Sequence, residues 1–593
     1  MKALQEIDAG VLVGLFVPLA LYGLWWKLQR LLMLPDDMGW WVLDGLRSEL
    51  LLHAAILCFW GSLLARFAHR PRLPRAGLAL TYVALGAVEF LCHGHFTTTG
   101  SAMDGGLFLY ALQNVDGMTA AFGDLGLVAA GVAVLVVLAP MPWLLVKPSP
   151  RPTAQRWSVI LGLAGALGLL SLAPPLNTTV PTSVSRHIPA HLILSALQRP
   201  PTPAPGTPWK SITVTSSPTL NLVIISLESV RQSSTSLSEV NLETTPTLKN
   251  LSESGLVATH SYATMPHSTK AMVPMLCGVP PDPVLPIHES SNLPIDCLPK
   301  QLSQQGYRTV HFRSATEHFE NWRGLCNELG FEDFVPPEEM ETEGFNKANY
   351  FGYEDDIMLE PARDWLEASD EPFFAFFLAG TPHHDYAVPA RTGEERSWNA
   401  DDPLLDGYLR SIHYSDGFVA RLMQVLEDTG HDDDTVVLIL GDHGEGFGEH
   451  LPLQHNTNPY ETGLRVPFVL LGPGVEPSTV TAPTSHLDVV PTVLDAMGAE
   501  WTGNGQGHSL MRPLPQRTVF ASCWYSARCL ASWRGRDKHI HHFGDRPDER
   551  FDIGDDPNER HRLTPDEAAV EDLLRWYRSI RGRWQASKPG LGL

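Results

Sequence analysis

The sequence predicts a membrane domain of five transmembrane helices, followed by an α/β domain that ends in a small α+β piece. Long apolar stretches recur in the first 176 residues, a Pro-rich segment follows, and short runs rich in Val, Ile and Phe then alternate with longer helix-like segments. With 593 residues, 44% hydrophobic and 18% charged, the chain is too long for one ordinary domain and too apolar for a disordered protein.

Charge is distributed unevenly along the chain, whose formal net charge is -23. Residues 1–176 hold 11 basic and 10 acidic residues, whereas the rest of the chain holds 32 basic and 56 acidic ones. The second part therefore lacks the broad basic surface on which nucleic-acid binding depends. We expect no nucleic-acid partner.

Five apolar stretches predict the transmembrane helices, since about 20 apolar residues cross a bilayer as a helix. The first is predicted to be a span rather than a cleaved signal peptide, because more spans follow it. In chain order the predicted spans are Ala9–Trp26, Leu50–Ala65, Ala76–Phe96, Leu125–Val146 and Trp157–Leu176.

The basic residues of the loops predict the orientation in the membrane. The loop from His93 to Ala120 has no Lys or Arg, and Lys and Arg concentrate on the cytoplasmic side. Five crossings then place the N-terminus inside and everything after Leu176 outside. The basic loops between spans two and three and between spans four and five contain Arg66, Arg70, Arg72, Arg75, Lys147, Arg151 and Arg156.

Three charged residues depart from this pattern. Lys27 and Arg30 follow the first span on its outer side, where an interfacial helix around Leu28 to Leu34 can accommodate them. Glu89 lies within the third span. It is either a buried functional carboxylate or an interfacial residue near the outer end of the span.

The segment from Gln198 to Pro208 reads QRPPTPAPGTP, and its prolines disfavour both helix and sheet. It predicts a stiff extended spacer. We therefore divide the chain into a transmembrane domain (1–176), a linker (177–218), an α/β domain (219–500) and a C-terminal subdomain (501–593).

Cysteine positions agree with an exported second part, where disulfides persist. We expect two local pairs, Cys277 with Cys297 and Cys523 with Cys529. The sequence contains no CxxC metal-binding spacing.

Polar residues directly follow three apolar runs of the second part. In open α/β sheets, ligands bind at the carboxyl ends of the strands, and carboxylates with imidazoles suit Zn, Mn or a similar divalent ion. The sequence therefore predicts a metal-centred site at this edge. The runs are NLVIISL, FFAFFL and TVVLIL, and the residues that follow them are Glu228; Thr381, His383 and His384; and Asp442 and His443.

The run GDHGEGFGEH (441–450), followed by LPLQHNTNPYETGLRVPFVLLGPG, resembles the metal-binding core of the alkaline phosphatase superfamily, in its sulfatase and phosphoglycerol or phosphoethanolamine transferase branch. NLVIISLES resembles the first strand of these proteins, and TSHLDVVPTVLDAMGAE (484–500) a late strand and helix. The resemblance implies an alkaline phosphatase-like fold and one divalent ion held by Glu228, Asp442, His443 and the nucleophile. That ion would be Mn, Mg or Zn, or Ca if the protein is sulfatase-like.

The segment TPTLKNLSESGLVATHSYATMPHSTKAMVPMLCGVPP resembles the part of the family that carries the nucleophile. Counting forward from Tyr262 places Ser268 at that position, and Thr269 is the alternative one residue later. Lys270 either neutralises developing negative charge or is a solvated surface residue.

Histidines are expected around the substrate. By the resemblance, His383 and His455 contact phosphoryl oxygens or protonate a leaving group. Only one of the adjacent His383 and His384 is expected to face the site, and His383 is preferred because TPHHDY resembles the family's His-x-Pro-aromatic pattern, with Asp in place of Pro. His450 and His486 are predicted to be structural.

Departures from the sulfatase pattern favour a transferase. Sulfatases mature Cys or Ser in a C/S-x-P-x-R sequence, whereas Ser268 has Lys270 at +2 and Met272 at +4. Sulfatases also usually have two acidic residues after the first strand, where this chain has Glu228 and then Ser229. Conversely, FDIGDDPNERHRL (551–563) resembles the sulfatase C-terminal subdomain. A sulfatase-like hydrolase or phosphodiesterase is therefore the alternative.

The five predicted spans and the exported domain also resemble lipoteichoic acid synthases. This resemblance implies a cell-envelope enzyme in a bacterial inner or plasma membrane, with its catalytic domain extracytoplasmic. Its expected reaction is the transfer of phosphoglycerol or phosphoethanolamine from a membrane phospholipid to an envelope glycan or lipid, through a covalent intermediate on Ser268.

Overall fold

In the computed structural model the chain divides into two compact units, Met1–Arg199 with Gly544–Pro547, and Pro200–Phe543 with Asp548–Leu593. The structure describes residues 9–34, 42–67, 72–113, 154–176, 180–238, 242–284, 293–368, 370–387, 396–398, 400–503, 506–524 and 528–587.

The described elements of the first unit are helices. They are α1 (Ala9–Leu32), α2 (Val42–Arg66), α3 (Arg72–Thr99), α4 (Gly105–Gln113), α5 (Ala154–Ser171), α6 (Thr182–Ser185) and α7 (Ile188–Leu197). Helix α2 packs against α1, α3 and α5. Of the described helices, α3 is the one long and apolar enough to cross a membrane. The predicted spans one, two, three and five overlap α1, α2, α3 and α5, and the span Leu125–Val146 lies outside the described residues.

Charged side chains are buried inside this unit. Arg30 pairs with Glu89 at 3.2 Å, and the Lys27 ammonium donates a hydrogen bond to the Arg186 carbonyl. Both basic residues belong to α1, which continues to Leu32. The helix expected around Leu28 to Leu34 is largely the end of α1. Lys27, Arg30 and Glu89 are each at most 4% exposed, so burial is the observed alternative for Glu89, and the partners named here offset the cost of burying these charges.

An eight-stranded sheet forms the centre of the second unit. Its strands are β1 (Asn221–Leu227), β2 (Leu256–Ala258), β3 (Arg308–Arg313), β4 (Asp333–Val335), β5 (Phe373–Ala379), β6 (Thr435–Gly441), β7 (Phe468–Leu471) and β8 (Ser478–Val480). The strand order is β8-β2-β7-β6-β1-β5-β3-β4. Strand β7 runs antiparallel to both of its neighbours, and the other paired strands run parallel.

Helices cover both faces of this sheet. They are α8 (Pro246–Ser252), α9 (Ser268–Cys277), α10 (Leu298–Ser303), α11 (Trp322–Leu329), α12 (Leu359–Glu367), α13 (Pro403–Asp428), α14 (Glu461–Leu464), α15 (Val489–Ala496) and α16 (Glu567–Ser587). Ile224 and Phe376 pack on the face that includes α9, α11 and α15, whereas Ile225 and Phe377 pack on the face that includes α12 and α13. Burial on both faces explains the unbroken apolar runs of β1, β5 and β6.

A four-stranded antiparallel sheet follows the large one. It consists of β9 (Val519–Ser522), β10 (Leu530–Arg534), β11 (Asp537–His541) and β12 (Glu549–Asp552), paired in chain order. Together with α16 it forms a small α+β subdomain. Short strands pair elsewhere: Thr213–Val214 with Trp501–Thr502, Ser261–Tyr262 with Arg465–Val466 and Thr484–Ser485, Gly446–Phe447 with Leu453–Gln454, and Lys347–Asn349 with Gly352–Tyr353.

The Pro-rich segment 198–208 forms neither helix nor strand, in accord with its prolines. It is nevertheless packed on α16, because the Ala204 amide donates to the Arg578 carbonyl at 3.0 Å. A Cβ on Gly582 would lie 1.7 Å from the Ala204 carbonyl oxygen, so only glycine fits there. The predicted linker 177–218 also includes α6 and α7.

Two disulfides brace the second unit. Cys277 pairs with Cys297, and Cys523 pairs with Cys529, which confirms both predicted pairs. The first closes the C-terminal end of α9, and the second follows β9 directly.

Candidate active site

Three neighbouring parallel strands end at the same level. Gly441 at the end of β6 lies opposite Leu227 of β1, which lies opposite Ala379 of β5. The residues that follow these strands therefore meet at one edge of the sheet. This edge holds Glu228, the pair Asp442 and His443, and the loop 380–384.

Helix α9 brings Ser268 to this edge. Ser268 is the first residue of α9, and its Oγ lies 2.9 Å and 3.1 Å from the two Glu228 carboxylate oxygens and 3.3 Å from His443 Nε2. The Thr269 hydroxyl instead lies 3.0 Å from His267 Nδ1. Of the two candidate nucleophiles, Ser268 contacts the predicted metal ligands, and its place in the first turn of a helix favours negative charge on its oxygen.

Glu228, Asp442 and His443 form a group suited to a divalent ion. One donor atom from each lies within 4.8 Å of the others, and all three side chains are buried. Asp442 Oδ1 accepts hydrogen bonds from the Ser229 and His443 amides, whereas its buried Oδ2 has no hydrogen-bond partner among the described residues. His443 Nδ1 donates to the Gly444 carbonyl at 3.0 Å, which leaves Nε2 to act as a ligand.

The electrostatics of the three side chains favour a bound cation. Burial, followed by the Glu228 charge, raises the pKa of Asp442 to about 8. Burial disfavours charged His443, but Asp442 and Glu228 outweigh it and raise the pKa of His443 to about 10. For Glu228, burial is outweighed by the hydrogen bond and charge of His443, which hold its pKa well below the ordinary value. The group therefore retains a proton that a metal ion can replace.

Three further histidines lie beside this group. The His455 ring centroid is 4.1 Å from that of His443 and 5.8 Å from that of His383. His383 Nδ1 donates to the His384 carbonyl at 2.9 Å, and His384 Nε2 lies 2.9 Å from the Tyr350 hydroxyl. Burial, then the charge of His443, lowers the pKa of His455 well below its ordinary value. His455 is therefore a neutral base near the site at physiological pH.

Lys270, His450 and His486 are buried or partly buried near this region. Lys270 is 1% exposed and its Nζ lies 3.4 Å from the Asp282 carbonyl. The interpretation of Lys270 as a solvated surface charge is therefore wrong. His450 stacks on Tyr460, and His486 Nε2 donates to the Gly441 carbonyl at 3.0 Å.

Sequence reasoning missed Arg231 and Glu445. Arg231 donates to Ser234 Oγ at 2.7 Å, to the Glu445 carbonyl at 3.0 Å and to Glu449 Oε1 at 2.6 Å, so it ties the loop after β1 to the loop after β6. The Glu445 carboxylate lies 3.3 Å from His455 Nδ1, and burial raises the pKa of Glu445 to about 7. The sequence signal that could have identified them is their spacing: Arg231 lies three residues after Glu228, and Glu445 lies two residues after His443.

Comparison with known proteins identifies this part of the chain. The sulfatase family model matches residues 220–499. Residues 220–499 are therefore similar to the sulfatase family and are called the sulfatase-like domain below. Every predicted site residue lies within this sulfatase-like domain.

Curated relatives of the sulfatase-like domain include both a lipoteichoic acid synthase-like protein and a sulfatase. The chain is 25% identical over 235 residues to the lipoteichoic acid synthase-like protein YvgJ of Bacillus subtilis, which is 37% of each protein. It is 35% identical over 137 residues to arylsulfatase K of Danio rerio, which is 22% of this chain and 25% of the relative. The matches span about a third or less of these relatives.

Solved structures share the fold. An alkaline phosphatase superfamily protein from Vibrio parahaemolyticus has a TM-score of 0.52 at 20% identity, covering 63% of this chain and 89% of its own. The lipoteichoic acid synthase LtaP from Listeria monocytogenes has a TM-score of 0.51 at 19% identity, covering 63% and 95%.

Proposed function

We propose that this protein is a metal-dependent phosphotransferase that moves a phosphoglycerol or phosphoethanolamine group from a membrane phospholipid to an envelope glycan or lipid. The observation that carries the proposal is the position of the Ser268 hydroxyl, 2.9 Å from Glu228 and 3.3 Å from His443. Ser268 lies outside any C/S-x-P-x-R maturation sequence. It therefore acts as an unmodified nucleophile.

The reaction proceeds in two displacements. The Ser268 oxygen attacks the phosphorus of the phospholipid headgroup while its proton passes to Glu228, and the bond from phosphorus to the diacylglycerol oxygen breaks. In the second step a hydroxyl of the acceptor attacks the same phosphorus, and the bond to Ser268 breaks. A Ser hydroxyl is a poor nucleophile at neutral pH and needs activation.

The surrounding side chains hold the reacting groups. Glu228 accepts the hydrogen bond of the Ser268 hydroxyl and orients it. His383 and His455, with His384 as the alternative to His383, are placed to bind phosphoryl oxygens, and His383 is placed to give the leaving diacylglycerol oxygen its proton. In this scheme Lys270 lowers the cost of negative charge near the N-terminus of α9.

Glu228, Asp442, His443 and Ser268 are the residues that would hold one divalent ion, with Mn, Mg or Zn fitting two carboxylates, one imidazole and a hydroxyl, and Ca fitting a sulfatase-like protein. Such an ion supplies Lewis-acid stabilisation of the Ser268 alkoxide and of a phosphoryl oxygen. Asp442 Oδ2, which has no hydrogen-bond partner among the described residues and lies 3.4 Å from His443 Nε2, supports this assignment.

The membrane part of the proposal concerns the donor. We infer a bacterial inner or plasma membrane protein with the five predicted spans in residues 1–176, a linker, and an extracytoplasmic catalytic domain with its C-terminal subdomain. A membrane tether raises the effective concentration of phospholipid headgroups at the site. The apolar α3 supports this topology.

A hydrolase is the second candidate, and two observations favour it. The match to arylsulfatase K reaches 35% identity, and residues 551–563 resemble the sulfatase C-terminal subdomain. In this case water resolves the intermediate, and the substrate is a phosphodiester or a sulfate ester outside the cytoplasm.

Product analysis distinguishes the two candidates. Purified full-length protein with Mn²⁺ is given phosphatidylglycerol or phosphatidylethanolamine carrying a ³²P headgroup, with isolated envelope glycan as acceptor. A transferase releases diacylglycerol and labels the glycan, and Ser268→Ala abolishes both. Labelled free headgroup phosphate with unlabelled glycan would identify a hydrolase. Release of sulfate from an aryl sulfate, without any diacylglycerol, would overturn the proposal.

A further inference from the structure

A stacked pair of rings lies directly before the proposed nucleophile. The His267 imidazole and the Trp524 indole have centroids 4.6 Å apart and planes that differ by 8°. Both nitrogens of His267 are also held, since Nε2 lies 3.1 Å from Glu320 Oε1 and Nδ1 lies 3.0 Å from the Thr269 hydroxyl. His267 is therefore fixed in position and in ring orientation.

The support for Trp524 comes from the C-terminal sheet. Trp524 follows Cys523, whose disulfide to Cys529 closes a loop immediately after β9. The Trp524 amide donates to the Asn456 carbonyl at 2.9 Å, next to His455. The Ser522 amide donates to the Thr264 carbonyl at 3.0 Å. The last residue of β9 and Trp524 thus bind two segments of the site, one at Thr264 before the nucleophile and one at Asn456 beside His455.

Glu320 reaches His267 from an unusual backbone. Glu320 and Asn321 have φ angles of 56° and 51°, a left-handed conformation that non-glycine residues rarely adopt and that is costly unless the surroundings hold it. Strain of this kind concentrates where a side chain must occupy one position. Here that position places the Glu320 carboxylate 3.1 Å from His267 Nε2.

We propose that Trp524 is a positioning residue of the active site: through its stack on His267, it fixes the backbone from which Ser268 extends. This inference rests on the proposed role of Ser268 as nucleophile. His267 has extended backbone angles and immediately precedes α9, so any rotation about His267 moves Ser268 Oγ relative to Glu228 and His443. A displacement of about 1 Å can cost about a hundredfold in rate. The C-terminal subdomain is then part of the catalytic machinery, although Trp524 lies beyond the matched residues 220–499.

The test compares Trp524→Ala and Trp524→Phe with Trp576→Ala. Trp576 is a matched control, because it belongs to the same subdomain and stacks on Phe520 with centroids 5.2 Å apart and planes at 15°. Rapid-quench experiments with full-length protein, Mn²⁺ and ³²P-headgroup phosphatidylglycerol measure formation of the Ser268 adduct. The amplitude reports the active fraction, and the rate constant reports the position of the nucleophile.

We expect Trp524→Ala to slow adduct formation at least about tenfold at unchanged amplitude and unchanged KM. Trp524→Phe, which keeps an aromatic face, should restore most of the rate, and Trp576→Ala should stay within about twofold of wild type. A Trp524→Ala protein with reduced amplitude but a wild-type rate constant would show that Trp524 only stabilises the fold, and would overturn the proposal.

Hydrogen–deuterium exchange gives a readout that does not depend on the reaction. The His267 and Ala271 amides are bonded to the Met265 and His267 carbonyls, so their exchange reports the order of segment 265–271. Trp524→Ala should speed this exchange about tenfold, and Trp576→Ala should not. If the wild type forms no adduct while Trp524→Ala still speeds exchange, only the proposed function is refuted. Unchanged exchange and rate in Trp524→Ala would refute the positioning role alone.

Discussion

Ser268 and Thr269 are adjacent hydroxyl residues with different surroundings. Ser268 Oγ contacts Glu228 and His443, whereas Thr269 Oγ1 contacts His267. We expect Ser268→Ala to lower kcat by at least about a thousandfold, because it removes the attacking atom. Thr269→Ser keeps a hydroxyl beside His267 and should stay within about threefold of wild type. Steady-state kinetics check both, and a Ser268→Ala variant with wild-type activity would assign the nucleophile to Thr269 instead.

A substitution of Asp442 tests whether this residue is a metal ligand. Asp442→Asn keeps the side-chain volume but removes a ligand charge, so we expect Mn²⁺ affinity to fall about a hundredfold or more. Titration calorimetry measures the affinity, and the thermal stabilisation by Mn²⁺ should shrink in parallel. His486→Gln serves as a control because His486 contacts the Gly441 carbonyl. Equal Mn²⁺ affinity in wild type and Asp442→Asn would remove Asp442 from the metal site.

At this scale, the sequence predicted the residues that lie together in the candidate site, but not those that hold them in place. Glu228, Asp442 and His443 each follow a recognisable apolar run, so their placement at the carboxyl edge could be predicted. The burial of Lys270 could not, because it depends on how α9 packs and not on residue type. Trp524 was equally hidden, since it reaches His267 across more than 250 residues of sequence.

At the scale of elements, a buried ionic group joins the C-terminal sheet to α14. Lys538 of β11 lies 2.6 Å from Glu559 and 3.1 Å from Glu461, and the Glu461 amide donates to Glu559. Burial is the largest cause that raises the pKa of Glu559, to about 7. Removing one partner of such a group is costlier than its net contribution to stability.

This pKa predicts a pH dependence of stability. The pKa of Glu559 is raised in the folded state, so its favourable contribution is complete below the unfolded pKa of about 4.5 and is lost as pH rises through about 7. Relative to wild type, Glu559→Gln should therefore gain on the order of 2 kcal/mol between pH 5 and pH 8. Thermal midpoints at both pH values measure the difference, with exposed Glu567→Gln as the control. A difference independent of pH would contradict this account.

The elements also show which patterns in the sequence were informative. The three long central strands, β1, β5 and β6, match the predicted runs because burial on both faces makes them continuously apolar. The Pro-rich segment could be predicted only in part. Its prolines exclude regular structure, but they do not reveal that it packs on α16. The burial of Arg30 could not be predicted from α1 alone, because its partner Glu89 lies on another helix.

At the scale of the whole molecule, the distribution of Lys and Arg among the loops of residues 1–176 predicts which side of the membrane each segment faces. Asp433 and Arg66 are both exposed, and they fall on opposite sides of the membrane in the proposed arrangement. In a Cys58→Ser background, a membrane-impermeant maleimide should label Asp433→Cys in intact cells and Arg66→Cys only after permeabilisation. Labelling of Arg66→Cys in intact cells would invert the orientation.

The central claim is that Ser268 becomes covalently linked to a lipid headgroup. Full-length protein with Mn²⁺ and headgroup-labelled phosphatidylglycerol or phosphatidylethanolamine is acid-quenched and digested, and the peptide containing Ser268 is analysed by mass spectrometry. We predict a phosphoglycerol or phosphoethanolamine adduct on Ser268, absent in Ser268→Ala and in Asp442→Asn. An unmodified Ser268 with every phospholipid, together with release of sulfate from an ester, would contradict the account.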